Sequence, residues 1–259
     1  GFGWGVEGAA LATGLSQCVG GVFPLIYFAR PNTSRLRLVR TRIEWRAMGQ
    51  ACFNGASELM SNISGSLVSM LYNFQLLRFA GENGVAAYGV LMYVQFIFVA
   101  IYIGYAVGSA PIVSFHFGAE NHAELKSMLK KSAALTAAAG AILTVAAYLL
   151  AEPLAKVFVG YDAELLQMTA HAFRLFSLTF LISGFNIFIS SFFTALNNGA
   201  ISAAVSFLRT LVFQMLAVLI LPNLFGVDGV WWSIAAAEIP AFAVSLAFLF
   251  GKREKYHYM

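Results

Sequence analysis

One carboxylate, Glu58, lies within a long stretch from Ala47 to Leu77 that contains no other charged residue. On a helix, the polar and small residues around it fall on one continuous stripe, because they recur at spacings of one, three and four residues. The stripe comprises Asn54, Ser57, Glu58, Ser61, Asn62, Gly65, Ser69 and Asn73. In a membrane helix such a stripe faces neighbouring helices or a water-filled cavity, and an intramembrane carboxylate commonly marks an ion pathway or proton relay.

We therefore predict that Glu58 binds and releases a proton or cation, and that Asn54, Ser61 and Asn62 line the same cavity. A purely structural glutamate, capping a neighbouring helix or paired with a buried arginine, is the alternative.

Three further polar groups lie within apolar segments. Arg209 follows Ser-Phe-Leu, and Glu238 stands two residues before Pro240, which can kink a helix and free a carbonyl. Arg209 and Glu238 can pair with each other, or either can pair with Glu58. The amide of Asn186 requires a partner at mid-membrane, so we include all three in the predicted cavity.

The composition excludes an ordinary soluble domain. Of the 259 residues, 59% are hydrophobic and only 11% are charged, whereas soluble domains carry about 25% charged residues. Too little polar surface is available to cover a globule in water, so the chain is predicted to lie in the lipid bilayer. The net charge of +4 does not indicate nucleic-acid binding, because the basic residues lie in short loops. Cys18 and Cys52 suggest neither a disulfide framework nor a metal site.

Spanning a bilayer takes about 20 mostly apolar residues in a helix, and seven segments meet this requirement. The predicted fold is therefore all-α, a polytopic membrane bundle of seven transmembrane helices. The segments are 8–29, 47–77, 85–115, 132–151, 166–196, 200–221 and 229–250.

The basic residues predict the orientation. Twelve of the 16 Lys and Arg residues occupy three segments, 30–46, 126–131 and 252–255, which we place on the cytoplasmic side of the cell membrane. The N-terminus of this chain is then outside and the C-terminus inside. Residues 116–131, where acidic and basic residues alternate, are predicted to form a short cytoplasmic helix.

A short repeat suggests an internal duplication. GVEGAALA (5–12) opens the first segment and GVDGVWWS (226–233) opens the last, as expected if six helices separate two equivalent positions. The predicted organisation is the last helix of a first lobe (1–29), a basic inter-lobe loop (30–46), a six-helix lobe (47–251) and a basic tail (252–259). Because the chain begins at Gly1, we expect a fragment cut near the outer end of a membrane helix.

These residues resemble the multidrug and toxic compound extrusion (MATE) transporters. The resemblance rests on GWGVEGAALATGLSQ, the basic loop, NGASELMSNISGS, YAVGSAPIVSFHFGAEN and the GVDGVW…AAEIP ending, and it covers essentially all 259 residues. It implies the sixth to twelfth helices of a two-lobed, twelve-helix transporter whose N-terminal lobe is missing here. It also implies export of cationic, amphipathic compounds by antiport with H+ or Na+, with no other cofactor.

The resemblance matches Glu58 to the family's acidic residue on the seventh helix, which is implicated in cation coupling. Some members carry an aspartate on the tenth helix, where this chain has Ser183 and Asn186, and this difference favours protons over sodium. A related flippase for lipid-linked or polysaccharide precursors is the main alternative. A seven-helix receptor and a membrane enzyme are less well supported, because the spans contain neither a retinal-type lysine nor a Ser/His/Asp, HExxH or metal cluster.

Overall fold

A computed structural model describes residues 5–30 and 43–258, and within these ranges it consists of helices and their connections, with no strand. This confirms the predicted all-α polytopic membrane bundle. Most of the basic loop 30–46 lies outside the described residues. The chain divides into two compact units, 1–48 and 49–259. The first contains α1 (Gly5–Ala29), in which residues Ala10–Ala29 are long and apolar enough to cross a membrane.

A short helix, α2 (Trp45–Asn54), carries the chain from the first unit into the second. The second unit then follows an almost continuous helical path. Its helices are α3 (Ala56–Gly118), α4 (His122–Leu149), α5 (Ala151–Val159), α6 (Ala163–Ser177), α7 (Thr179–Ala195), α8 (Gly199–Phe207), a π-helical segment (Leu208–Phe213), α9 (Gln214–Phe225), α10 (Val227–Gly251) and α11 (Arg253–Tyr256).

The longest helix, α3, contains two of the segments predicted from sequence, and Gly81 lies between them. A straight helix of 63 residues would be about 95 Å long, roughly three times the hydrocarbon thickness of a bilayer. Gly81 interrupts α3 with φ 64° and ψ −156°, a backbone conformation that is open essentially only to glycine. The chain reverses there, between the predicted segments 47–77 and 85–115.

Each of the other predicted segments in the second unit also coincides with helical structure. The segment 166–196 is not straight, however, because α6 and α7 meet at Leu178 with a bend of 49°. The expectation of a separate short helix at 116–131 is wrong. α3 ends at Gly118 and α4 begins at His122, where the Asn121 side chain caps it by accepting a hydrogen bond from the Glu124 N–H at 3.1 Å. Of the alternating charges, Glu124, Lys126, Lys130 and Lys131 lie on the first turns of α4, and Glu120 lies in the connection before it.

The core forms around α6 and α7, whose phenylalanines pack against the surrounding helices. Phe173, Phe176 and Phe180 belong to one buried cluster, and Phe188 and Phe192 belong to a second. Two buried apolar clusters along one bent helix pair hold α3, α4, α8 and α10 around it.

Residues 252–258, which follow α10, close one end of the bundle. We call it the basic end, and it also comprises the end of α3 and the start of α4. Tyr256 accepts a hydrogen bond from Asn198 at 2.7 Å, and Tyr258 donates one to the Leu249 carbonyl at 2.8 Å. Burial, reinforced by the neighbouring Tyr256, raises the pKa of Tyr258. Tyr258 therefore remains a neutral donor at physiological pH.

A close approach of α4 to α7 at Gly140 generates a first prediction. A Cβ atom at this position would lie 2.9 Å from the Leu181 carbonyl oxygen and 3.1 Å from that of Phe180. We expect Gly140→Ala to lower the free energy of unfolding by about 1–3 kcal/mol, because backbone must shift to admit the methyl group. Thermal unfolding of the purified protein in detergent measures the effect.

Gly104→Ala is the matched control, because nothing lies within 4 Å of its added Cβ. This change should leave stability unchanged or raise it by up to about 1 kcal/mol, since alanine favours helix. Equal losses in the two variants would contradict the packing role of Gly140.

Candidate functional site

An open cavity of about 210 Å³ lies among both halves of α3, α7, the π-helical segment and α10. It brings together four of the residues predicted from sequence: Glu58, Ser61, Arg209 and Glu238. Its other lining residues are Gln95, Val99, Ile103, Ala106, Val107, Thr179, Ser183, Ile187, Ser190, Ser191, Ser206, Thr210 and Gln214.

Arg209 and Glu238 form a buried ion pair at this cavity. Arg209 Nη2 donates to Glu238 Oε1 at 2.8 Å, and Nε lies 3.0 Å from both carboxylate oxygens. The Glu238 side chain is 2% exposed and that of Arg209 is 18% exposed. The sequence left open whether Arg209 and Glu238 pair with each other or with Glu58. In the structure they pair with each other.

Asn186 completes the surroundings of the Glu238 carboxylate. Its amide Nδ2 donates to Glu238 Oε2 at 2.7 Å, and its own oxygen accepts a hydrogen bond from Ser245 at 2.9 Å. Asn186 is fully buried behind the pair and is not among the residues that line the cavity. Asn186, which the sequence analysis placed in the cavity, thus orients the carboxylate of Glu238, a residue that lines it.

Local backbone geometry places Arg209 at the cavity. Leu208–Phe213 forms a π-helix between α8 and α9, and π-helical turns are rare and frequently found at functional sites. Arg209 and Thr210 both lie in this segment and both line the cavity. Within this otherwise apolar segment, Arg209 reaches Glu238 of α10 at 2.8 Å, and Thr210 donates to the Ser206 carbonyl at 2.6 Å.

Glu58 lies in the first turn of α3, at the rim of the cavity, and it is exposed rather than enclosed. Among the described residues, its carboxylate has no hydrogen-bond or ion-pair partner. Ser61, one turn further on, is half-buried and lines the same cavity. Glu58 is therefore the cavity's one carboxylate without a cationic partner in the described part of the chain.

Asn54 and Asn62 lie apart from the cavity. Asn54 donates to the Thr194 carbonyl at 3.3 Å, joining the end of α2 to α7. Asn62 is exposed and donates back to the Glu58 backbone carbonyl at 2.8 Å. The buried face of this part of α3 is instead formed by Ser64, Val68, Tyr72, Gln75 and Leu76.

Sequence reasoning missed several polar residues that line the cavity. The side-chain oxygens of Gln95, Thr179 and Ser183 are buried there without a hydrogen-bond partner. Buried polar atoms in native proteins are normally paired with protein or water. These three oxygens are thus available to water or to a bound solute. The sequence signal that could have identified these residues is the occurrence of glutamine and hydroxyl side chains within otherwise apolar spans.

Hydroxyl groups continue from the cavity wall between α7 and α8. Ser190 Oγ lies 2.9 Å from the hydroxyls of both Ser206 and Ser202, and Thr194 Oγ1 donates to Ser202 Oγ at 2.7 Å. Ser190 and Ser206 line the cavity, whereas Ser202 is completely buried. The polar lining thus extends into the packed interface as a connected hydrogen-bonded group.

The chemistry available here is ion binding. No group of three or more His, Cys, Asp or Glu residues suited to a metal occurs among the described residues. When Arg209 and Glu238 neutralise each other, ionised Glu58 leaves the lining with one net negative charge. A polar cavity with an unpaired carboxylate can hold a cationic group or a proton.

The buried pair generates a second prediction. We expect Glu238→Gln to lower the free energy of unfolding by about 3–5 kcal/mol, because it leaves the Arg209 charge without its counter-charge. The double change Arg209→Met with Glu238→Leu should cost less than Glu238→Gln alone. Denaturation in detergent of Arg209→Met, Glu238→Leu and their double variant, arranged as a double-mutant cycle, measures the coupling.

Strictly additive losses in this cycle would show that the two side chains do not stabilise each other. Glu82→Gln serves as the control for removal of a carboxylate, because Glu82 is exposed and does not line the cavity. Its stability should remain near that of the unmodified protein.

Apolar helices long enough to span a bilayer, arranged around a buried ion pair and an open polar cavity, define a multi-pass membrane protein. The chain belongs to the MatE family, whose model matches residues 59–220. This confirms the family that the sequence resembles.

Relatives and solved structures agree with this assignment. The chain is 23% identical over 253 residues to the multidrug export protein MepA of Staphylococcus haemolyticus, covering 96% of this chain and 55% of MepA. It is 27% identical over 247 residues to MepA of Staphylococcus saprophyticus, covering 92% and 52%. The chain thus spans about half the length of these curated relatives.

The fold is similar to that of solved transporters. The outward-facing form of a multidrug resistance MATE family transporter of the MOP superfamily aligns with a TM-score of 0.85 at 22% identity, covering 97% of this chain and 56% of that one. A MOP superfamily transporter from Pyrococcus furiosus aligns with a TM-score of 0.85 at 21% identity, covering 97% and 57%.

Proposed function

We propose that this chain is the C-terminal part of a secondary active efflux transporter that exports cationic, amphipathic compounds in exchange for protons or sodium. Family membership and the similarity to MepA support multidrug export as the activity. The observation that carries the proposal is the open cavity in which Glu58 is a carboxylate without a cationic partner among the described residues.

Charge favours a cationic substrate. Arg209, the basic residue of the cavity lining, is already paired with Glu238 at 2.8 Å, so it offers an anion little free charge. Ile103, Val107 and Ile187 supply apolar lining in the same cavity as Glu58. A substrate that combines a positive charge with an apolar body suits both features.

Substrate export is coupled to ion entry if the Glu58 carboxylate holds either the substrate cation or the coupling ion, but not both. An ion arriving from outside displaces the substrate, and a substrate arriving from inside displaces the ion. We favour a proton as the coupling ion, because the other cavity carboxylate, Glu238, accepts hydrogen bonds from Arg209 and Asn186. The described residues that line this cavity therefore leave only one free carboxylate, not the two of a sodium site.

We further propose that a missing N-terminal lobe completes the transporter. In this scheme α1 is the last helix of that lobe, residues 47–251 form the second lobe, and the basic loop and tail are cytoplasmic. The surface beside Glu58 supports a facing lobe, because Ile63, Leu67, Met70 and Phe74 are about half or more exposed. Alternating access requires one lobe to move against another.

Transport of a lipid-linked or polysaccharide precursor remains the alternative within the superfamily. Such substrates carry phosphate or carboxylate groups, and a cavity for them needs several free basic side chains. Arg209 is the cavity's basic residue and is engaged by Glu238. The charge of the lining thus favours drug export.

Glu58→Gln provides the third prediction. In the intact transporter reconstituted into vesicles, we expect dye efflux driven by an imposed proton gradient to fall at least tenfold, because the amide cannot exchange a proton. Efflux is followed by fluorescence of a cationic dye under imposed proton or sodium gradients.

Glu82→Gln is the matched control, since it removes an exposed carboxylate of the same helix away from the cavity. Its efflux should equal that of the unmodified transporter. Unchanged proton-driven efflux in Glu58→Gln would reject Glu58 as the coupling residue. Sodium-driven efflux that Glu58→Gln abolishes, without any proton response, would reassign the coupling ion.

A further inference from the structure

A second cavity, which shares no lining residue with the first, opens at the basic end of the bundle. This groove has a volume of about 470 Å³ and lies between α4, α7 and α10. Its lining combines two lysines with an otherwise apolar wall. The wall comprises Leu129, Ala133, Phe185, Leu246, Leu249, Phe250 and Tyr258.

The two lysines are suited to an anionic group. Lys126 and Lys130 are exposed, and neither has a carboxylate within ion-pair distance among the described residues. They stand four residues apart on α4 and therefore lie on one face, about one helical turn from each other. By contrast, the adjacent Lys131 is paired with Glu124 at 3.8 Å. The groove thus carries two ammonium groups that the fold does not neutralise.

The wall is suited to hydrocarbon. Phe185, Leu246 and Phe250 belong to apolar segments of α7 and α10 predicted to lie within the bilayer, whereas Lys126 and Lys130 precede the apolar segment of α4. Phe250 is 52% exposed. The cavity therefore runs from a basic rim at the membrane boundary to an apolar wall at the depth of the acyl chains.

We propose that this groove binds an anionic phospholipid, with the phosphate held by Lys126 and Lys130 and an acyl chain against Leu246 and Phe185. Basic pockets between membrane helices on the cytoplasmic side are a recognised type of site for acidic head groups. A second copy of this chain is a poorer occupant. A symmetric contact would bring two lysine pairs together, and no carboxylate lines the groove.

The test uses the intact transporter in detergent, titrated with dioleoyl phosphatidylglycerol or dioleoyl phosphatidylcholine and analysed by native mass spectrometry. The unmodified protein should retain phosphatidylglycerol in preference to phosphatidylcholine. Lys126→Gln with Lys130→Gln should weaken phosphatidylglycerol binding roughly tenfold to thirtyfold, the effect of removing two basic residues near an acidic head group.

Lys131→Gln with Lys255→Gln is the matched control, because it removes two charges at the same end from residues outside the groove lining. It should bind phosphatidylglycerol as the unmodified protein does. Leu246→Trp, which fills the groove, should weaken retention of phosphatidylglycerol without altering the lysines. Thermal unfolding and size-exclusion profiles confirm that each variant is folded.

Several results would overturn the proposal. If the two double-lysine variants lost phosphatidylglycerol binding equally, the effect would be one of net charge and not of the groove. Full retention of phosphatidylglycerol in Leu246→Trp would indicate a phosphate site without an acyl chain. Dimers that the groove variants dissociate would identify the groove as a contact between copies.

Discussion

A carboxylate buried among apolar helices needs hydrogen-bond donors around it, and Glu238 has them. Two nitrogens of Arg209 and the amide of Asn186 lie within 3.0 Å of its oxygens. These three residues come from α10, the π-helical segment and α7, so one charged contact fixes the relative positions of three helices. Removing water from such a pair is costly, and the cost is offset only when the geometry is good and the remaining donors and acceptors are satisfied. Much of the cavity wall depends on this arrangement.

The same contact divides the ionic roles of the cavity. Because Arg209 and Glu238 balance each other, neither contributes net charge to the lining. Glu58 then determines its charge, although it lies at the rim and not at the centre. The unpartnered oxygens of Gln95, Thr179 and Ser183 supply neutral polarity beside it. A cavity built in this way separates a structural ion pair from an exchangeable charge.

Composition and periodicity predicted much of the fold, because a spanning segment reveals itself by length and apolarity. The helical wheel placed Glu58 and Ser61 on one face, and charge within apolar runs identified Arg209 and Glu238. Periodicity gives the angular position of a residue but neither its depth nor its partner. Asn62 therefore turned out to be exposed, and Asn186 to lie behind the cavity. The bend at Leu178 has no proline or glycine at that position to announce it.

The π-helical segment has a consequence for how the sequence can vary. A π turn accommodates a residue beyond the α-helical repeat, and one residue corresponds to a rotation of about 100° around the axis of an α-helix. Leu208–Phe213 thereby sets the angular offset between the faces that α8 and α9 present. Deleting one residue within this segment can be absorbed by reverting to the α-helical repeat, which would preserve the packing on both sides. The Arg209 guanidinium would then be turned away from α10. The protein would retain its helices, but Glu238 would lose its counter-charge.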